Sequence, residues 1–139
     1  MKKLIFLLLL TVACQKEVVI QTGVTKNMAT DLIYNFKLTE SGNVVLPAIG
    51  AQNYKESGAT CVIEGTTLYA EYHVTAIDSM LQTFRLYGVP IEVGRWYNIR
   101  IRANPMTWWL DGKLISAHNC GVESGWVTWE GNDKVEIKK

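Results

Sequence analysis

Tryptophan and arginine at alternate positions of one short stretch carry the most readable chemistry in this chain. Trp96-Tyr97-Asn98-Ile99-Arg100-Ile101-Arg102-Ala103 alternates strictly. Successive side chains of a strand face opposite sides. Tyr97, Ile99, Ile101 and Ala103 therefore share one face, and Trp96, Asn98, Arg100 and Arg102 share the other. Further on, Trp108 and Trp109 are adjacent, and the same rule forbids both from lying in the core. In the register set by an Asp111-Gly112 turn, Leu110 opposes Lys113, Trp109 opposes Leu114, Trp108 opposes Ile115 and Thr107 opposes Ser116. The face with Met106, Trp108, Ile115 and Ala117 is the more apolar and is expected inside. That leaves Trp109 outside with Thr107, Leu114 and Ser116. An exposed Trp beside Arg and Asn is a platform for a sugar ring or a partner's side chain: the indole gives a rigid apolar face and guanidinium adds directional donors. Trp96, Arg100, Arg102 and Trp109 are accordingly the expected ligand-binding residues. The competing reading is structural, with a loop or the second sheet covering the rings and Arg stems packed on them by cation–π contact.

Catalytic patterns are missing. Glu-Ser-Gly occurs at Ser41, Ser57 and Ser124, but Thr39, Lys55 and Val122 stand where Gly-x-Ser-x-Gly needs glycine. No phosphate-binding loop occurs, and the acidic residues are dispersed. His73 and His118 fall on different expected strands, His73 sharing a face with Tyr69 and Glu71. A metal site built from both histidines and a carboxylate is the weaker reading beside a simply hydrogen-bonded histidine. No cofactor, metal or catalytic residue is expected, and a small glycan hydrolase ranks last among the functions considered.

The elements that must position the Trp and Arg residues are almost all strands. Leu32 to Thr39 alternates, Ser41-Gly42-Asn43 is a turn, and Val44 to Leu46 restarts a strand that Pro47 ends. Residues 50–59 read as loop. Cys61 to Glu64 and Thr67 to Ala76 form a hairpin. Gln82 to Tyr87 and Trp96 to Ala103 follow, punctuated by Gly88, Pro90 and Gly94. Asp111-Gly112 is a type I′ hairpin signal between Thr107–Asp111 and Lys113–Ala117. Trp126 to Trp129 and Lys134 to Ile137 are the last strands. About ten short strands without a helical period point to an all-β antiparallel β-sandwich or barrel.

The first fourteen residues have another purpose. Lys2 and Lys3 precede an unbroken apolar run, Leu4 to Leu10, too short for a permanent membrane span, and Thr11-Val12-Ala13 leads to Cys14. This reads as an export leader; a hydrophobic N-terminal strand or helix of the fold is the alternative. The Ala13-Cys14 junction resembles the lipobox of bacterial lipoproteins, which implies lipidation of Cys14. Thr11 stands where that family prefers Leu, so ordinary cleavage after Ala13 is the alternative. The organisation read from this is a signal peptide at 1–13, a lipidated Cys14 with a tether through 30 in which Glu17 to Thr22 is a candidate first strand, and a β-sandwich domain at 31–139. The protein is expected to be exported to a bacterial cell envelope and held to a membrane through the lipid. Setting Cys14 aside leaves Cys61 and Cys120, which in an exported chain read as a disulfide; two buried free thiols are the alternative. The 139 residues carry a net charge of +1. Without Lys2 and Lys3 the acidic residues are one ahead, so no nucleic-acid partner is expected.

Gly94 to Ala117 resembles the central strand and hairpin of concanavalin A-like jelly-roll domains, including laminin G-like modules. The matching positions are Gly94, Trp96, Tyr97, Ile99, Ile101, Leu110, Asp111, Gly112 and Leu114, with Phe84 to Gly88 as the strand upstream. The resemblance implies a jelly-roll-like sandwich. The Glu-x-Asp-x-x-Glu pattern of jelly-roll glucanases is absent. The expected function is a non-catalytic, envelope-anchored module for a glycan or glycoconjugate. The alternative is a structural or protein-interaction lipoprotein: an adhesin part, an assembly factor or an enzyme inhibitor.

Overall fold

A computed structural model of the chain describes residues 20–27, 30–75, 81–86, 88–122 and 124–138. The leader and Cys14 lie outside the described residues. So do the first three residues of the strand expected at Glu17 to Thr22; Gln21 and Thr22 are not in a strand.

The described residues form two antiparallel sheets packed as a sandwich. The chain crosses between them in a jelly-roll-like manner. The smaller sheet runs in the order β11 (Lys113–Ala117), β10 (Met106–Leu110), β9 (Trp96–Ala103), β2 (Asp31–Leu38), β13 (Val135–Lys138). The larger runs β1 (Gly23–Lys26), β12 (Trp126–Trp129), β4 (Ala48–Gly50), β5 (Gly58–Glu64), β6 (Thr67–Thr75), β7 (Leu81–Arg85); β3 (Val44–Val45) adds to β5 and β8 (Val89–Pro90) to β6. β1 arises from the stretch read as tether and pairs with β12 from Gly23↔Trp129 to Lys26↔Trp126. The sandwich therefore starts before residue 31. Its four residues are mostly exposed, so they show no apolar alternation that a sequence reading can catch.

Alternation builds the core. Leu32, Tyr34, Phe36 and Leu38 of β2 and Tyr97, Ile99, Ile101 and Ala103 of β9 are buried. They face Cys61 and Ile63 of β5 and Leu68, Ala70 and Tyr72 of β6 across the sandwich. Trp108 is fully buried, and its indole N–H donates across to the backbone carbonyl of Thr60 on the other sheet, at 2.9 Å. That bond removes the cost of burying an indole donor in an apolar interior.

Two sequence expectations are corrected here. Trp109↔Leu114 and Leu110↔Lys113 hold, but a bulge at Ile115 sets Trp108 opposite Ser116 and Thr107 opposite Ala117. The extra residue reverses the faces beyond it: Ala117 is exposed and Ile115 only partly buried. Nor do the cysteines pair. Cys61 is a buried thiol pointing into the core from β5, and Cys120 is an exposed thiol after β11. Burial, with a smaller contribution from Glu71, pushes the Cys61 thiol far above its ordinary range, which leaves it unreactive.

Candidate functional site

The outer face of the smaller sheet collects every ligand-binding residue expected from the sequence. Strand register decides this. Ile33 of β2, Arg100 of β9, Trp109 of β10 and Leu114 of β11 form one row across the sheet. Asp31, Arg102 and Thr107 form the next. Lys37 pairs with Trp96 toward the other end of β9, with Asn35 opposite Asn98 between.

The turn that fixes this register is tight. Asp111 and Gly112 have φ of 50° and 79°, the left-handed pair a type I′ turn requires. The Asp111 carboxylate accepts the Asn98 backbone N–H at 2.8 Å, and the Asp111 N–H donates to the Asn98 carbonyl at 2.8 Å. The hairpin is thereby pinned to β9, which holds Trp109 beside Arg100.

Trp109 and Trp96 are both half-buried, and cationic side chains lie over both rings. The Arg100 and Arg102 guanidinium carbons are 4.8 Å and 5.2 Å from the Trp109 ring centre. The Lys37 and Lys138 ammonium groups are 5.1 Å and 4.0 Å from that of Trp96. Asp31 holds the arginines in place. Its Oδ2 accepts from Arg100 Nε at 2.9 Å and from a terminal nitrogen at 2.7 Å, and its Oδ1 lies 3.7 Å from Arg102 Nε. Lys37 pairs with Glu136 at 3.1 Å. The sequence reading missed Asp31, Lys37 and Lys138. Lys37 was legible as a neighbour of Ile33 and Asn35 on one face of β2. That it meets Trp96 depends on which strands pair, and a single strand's pattern does not contain that.

Beside the face, where β13 approaches β12 and the start of β1, lies a cleft of about 380 Å³. Trp129, Asn132, Gln21, Thr22 and Ile137 line it, and so does Lys138, which also overlies Trp96.

The outer face of the larger sheet is built differently. Glu71 of β6 is only 7% exposed. Arg85 of β7 donates to it through Nε at 3.1 Å and a terminal nitrogen at 3.0 Å, and also pairs with Glu64. His73 Nε2 lies 3.0 Å from the other Glu71 oxygen, and His73 Nδ1 lies 3.0 Å from the Thr83 hydroxyl. Both imidazole nitrogens therefore have a polar partner within the protein. The His73 hydrogen bond, above all, lowers the Glu71 carboxyl's affinity for a proton; burial opposes this and the Arg85 contacts reinforce it. Tyr54, itself buried, covers the cluster edge-on to His73 at 5.9 Å. It sits so close to Gly58 that a Cβ there would meet Tyr54 atoms at 2.8 Å.

The two histidines do not meet. His118 Nε2 lies 3.0 Å from the Tyr72 hydroxyl, and Tyr72 and His73 point to opposite sides of β6. Among the described residues, no group of three or more His, Cys, Asp or Glu gathers to hold a metal.

No family model matches the sequence, and no curated protein matches it. Among solved structures the chain is similar to a carbohydrate binding module, CBM66 from Bacillus subtilis, at 14% identity and a TM-score of 0.46, over 86% of this chain and 81% of that one. The sandwich described above rests on this chain's own strand pairing.

Proposed function

We propose that this protein is a non-catalytic binding module of the bacterial cell envelope, lipid-anchored through Cys14, whose outer face on the smaller sheet holds a glycan. One observation carries the binding reading: Trp109 and Trp96 stand half-exposed on a single sheet face, each beside fixed cationic side chains. Rigid aromatic surface with forked donors at its rim suits a ligand that is apolar on its ring faces and polar at its edges. The larger sheet's polar groups, by contrast, are turned on one another. The anchor rests on the leader and on Cys14, and lipidation of that cysteine supplies the more than one acyl chain that durable attachment needs.

The experiment is binding of the full chain, expressed with its own leader and purified in detergent, to a broad panel of immobilised polysaccharides. Trp109→Ala and Trp96→Ala are run alongside, with folding checked by circular dichroism. Saturable binding lost in a folded variant is the expected result. Absence of binding across the panel overturns the glycan reading. For the anchor, Cys14→Ala is expected to move the protein out of the membrane fraction; retention there overturns it.

A second reading has its own support. Ile33 and Leu114, 47% and 60% exposed, flank Arg100 and Trp109 in the same cross-strand row. Exposed aliphatic residues beside Trp and Arg also suit a protein partner. That reading gains if Leu114→Ser abolishes capture of a partner protein while polysaccharides fail to bind.

A further inference from the structure

We propose that the glycan held by this face is anionic: a linear polysaccharide bearing carboxylate or sulfate groups, paired with Arg100, Arg102, Lys37 and Lys138. This rests on the binding reading above and names its ligand class. Three features carry it.

The first is charge. Outside the leader the chain is nearly neutral, yet four cations on this face, Lys37, Arg100, Arg102 and Lys138, meet only Asp31 and Glu136. Among the described residues no protein acceptor hydrogen-bonds to the terminal nitrogens of Arg102 or to Lys138 Nζ. Such a surplus on one sheet face raises the local concentration of an anionic chain.

The second is the state of the tryptophans. Neutral sugar rings stack on bare aromatic faces. Here two guanidinium groups lie over Trp109 and two ammonium groups over Trp96. A neutral ring would have to displace them. An anion pairs with them where they stand, and the indoles hold the cations in position for it.

The third is spacing. Trp109 is opposite Arg100, four residues along β9 from Trp96. At roughly 3.3 Å per residue and about 4.8 Å between strands, the platforms are about 14 Å apart. One sugar ring cannot touch both, so the occupant is a chain lying along β9.

The test uses the full chain as above, against polygalacturonate and chondroitin sulfate as anionic probes and dextran and pullulan as neutral ones. Single-stranded DNA serves as a polyanion of another class. The expected result is retention on at least one anionic polysaccharide and on neither neutral one. Affinity should fall about tenfold or more between about 50 and about 500 mM salt. Arg102→Gln should weaken binding about tenfold, and Arg102→Lys should restore part of it, keeping the charge but not the fork. Binding to dextran or pullulan that Trp109→Ala abolishes would overturn the anionic assignment while keeping the glycan reading. Binding to a polyanionic polysaccharide that Arg102→Gln leaves unchanged would overturn the role of the face's cations. Equal retention on DNA would overturn the assignment to a glycan. Failure on every polysaccharide would overturn both proposals together.

Discussion

The two outer faces of this sandwich are built by the same alternation, from strands of similar length, and end in opposite chemical states. On the larger sheet, Arg85 is divided between Glu64 and Glu71, Glu71 between Arg85 and His73, and His73 between Glu71 and Thr83. Tyr54 closes over the result. On the smaller sheet, Asp31 alone serves two arginines, and the remaining cationic capacity points outward beside two indoles. The contrast teaches that polar residues on a sheet face are free to meet a ligand where their hydrogen-bonding capacity is not spent within the protein. Glu71, His73 and Thr83 have the look of a catalytic relay, but their hydrogen bonds are spent within the protein.

The comparison predicts a dissociation: changes inside the sandwich or on the larger sheet cost stability, and changes on the smaller sheet's outer face cost binding. The largest stability effect belongs to the inward neighbour of Trp109. Trp108→Ala should destabilise by about 3–5 kcal/mol, a large share of what a domain of this size has. Trp108→Phe, which keeps the ring but leaves the Thr60 carbonyl without its donor, should cost about 1–3 kcal/mol. Urea unfolding reads both. If Trp108→Phe abolished ligand binding in a fully folded protein, the division into inside and outside would fail.

Next comes the saturated face. Glu71→Gln removes a nearly buried carboxylate shared by Arg85 and His73 and should cost about 2 kcal/mol, with polysaccharide binding unchanged. It should also change the acid limb of the stability curve. Folding lowers the Glu71 proton affinity, so the unfolded chain binds the more protons as pH falls. The contribution is fully present above the ordinary glutamate value of about 4.3 and is lost as pH falls through the lower folded value. Thermal unfolding between about pH 3 and about pH 6 should therefore show a shallower pH dependence in Glu71→Gln than in the parent. An unchanged slope would mean that this cluster is not the paired network its geometry describes.

How much of this was legible in the sequence follows from where each feature is encoded. Alternation is local, so β9, the hairpin through Asp111-Gly112 and the opposite fates of Trp108 and Trp109 could all be read. So could the set Trp96, Arg100 and Arg102, since one strand carries it. Asp31, Lys37 and Lys138 come from β2 and β13, far away in sequence, and pairing alone brings them to the tryptophans. The bulge at Ile115 was invisible because no glycine or proline in Lys113 to Ala117 marks it. The disulfide expectation counted cysteines, but the fold aims Cys61 into the core and leaves Cys120 outside.

Trp109→Ala tests the open face itself. Its stability cost should be about 1 kcal/mol, the scale of two partly exposed cation–π contacts and some lost ring burial. Its effect on binding should be at least about tenfold, since it removes the indole that holds two arginines in position. A stability loss as large as that of Trp108→Ala, with binding intact, would show that the ring is a structural cover and would erase the contrast between the faces.

The smallest effect is the one that sharpens the identity of the partner. Leu114 is 60% exposed at the end of the Ile33–Arg100–Trp109 row, so Leu114→Ser should change stability by no more than about 0.5 kcal/mol. An acidic polysaccharide uses the charges of this row, which the indole holds in place, and has little use for an aliphatic side chain on an edge strand. Its affinity should then move less than about twofold, against about tenfold for Arg102→Gln. A protein partner would bury the leucine and desolvate the row around it, and the order of the two variants would reverse. The ratio of the two losses therefore separates the readings on one surface, without requiring that the natural ligand be known.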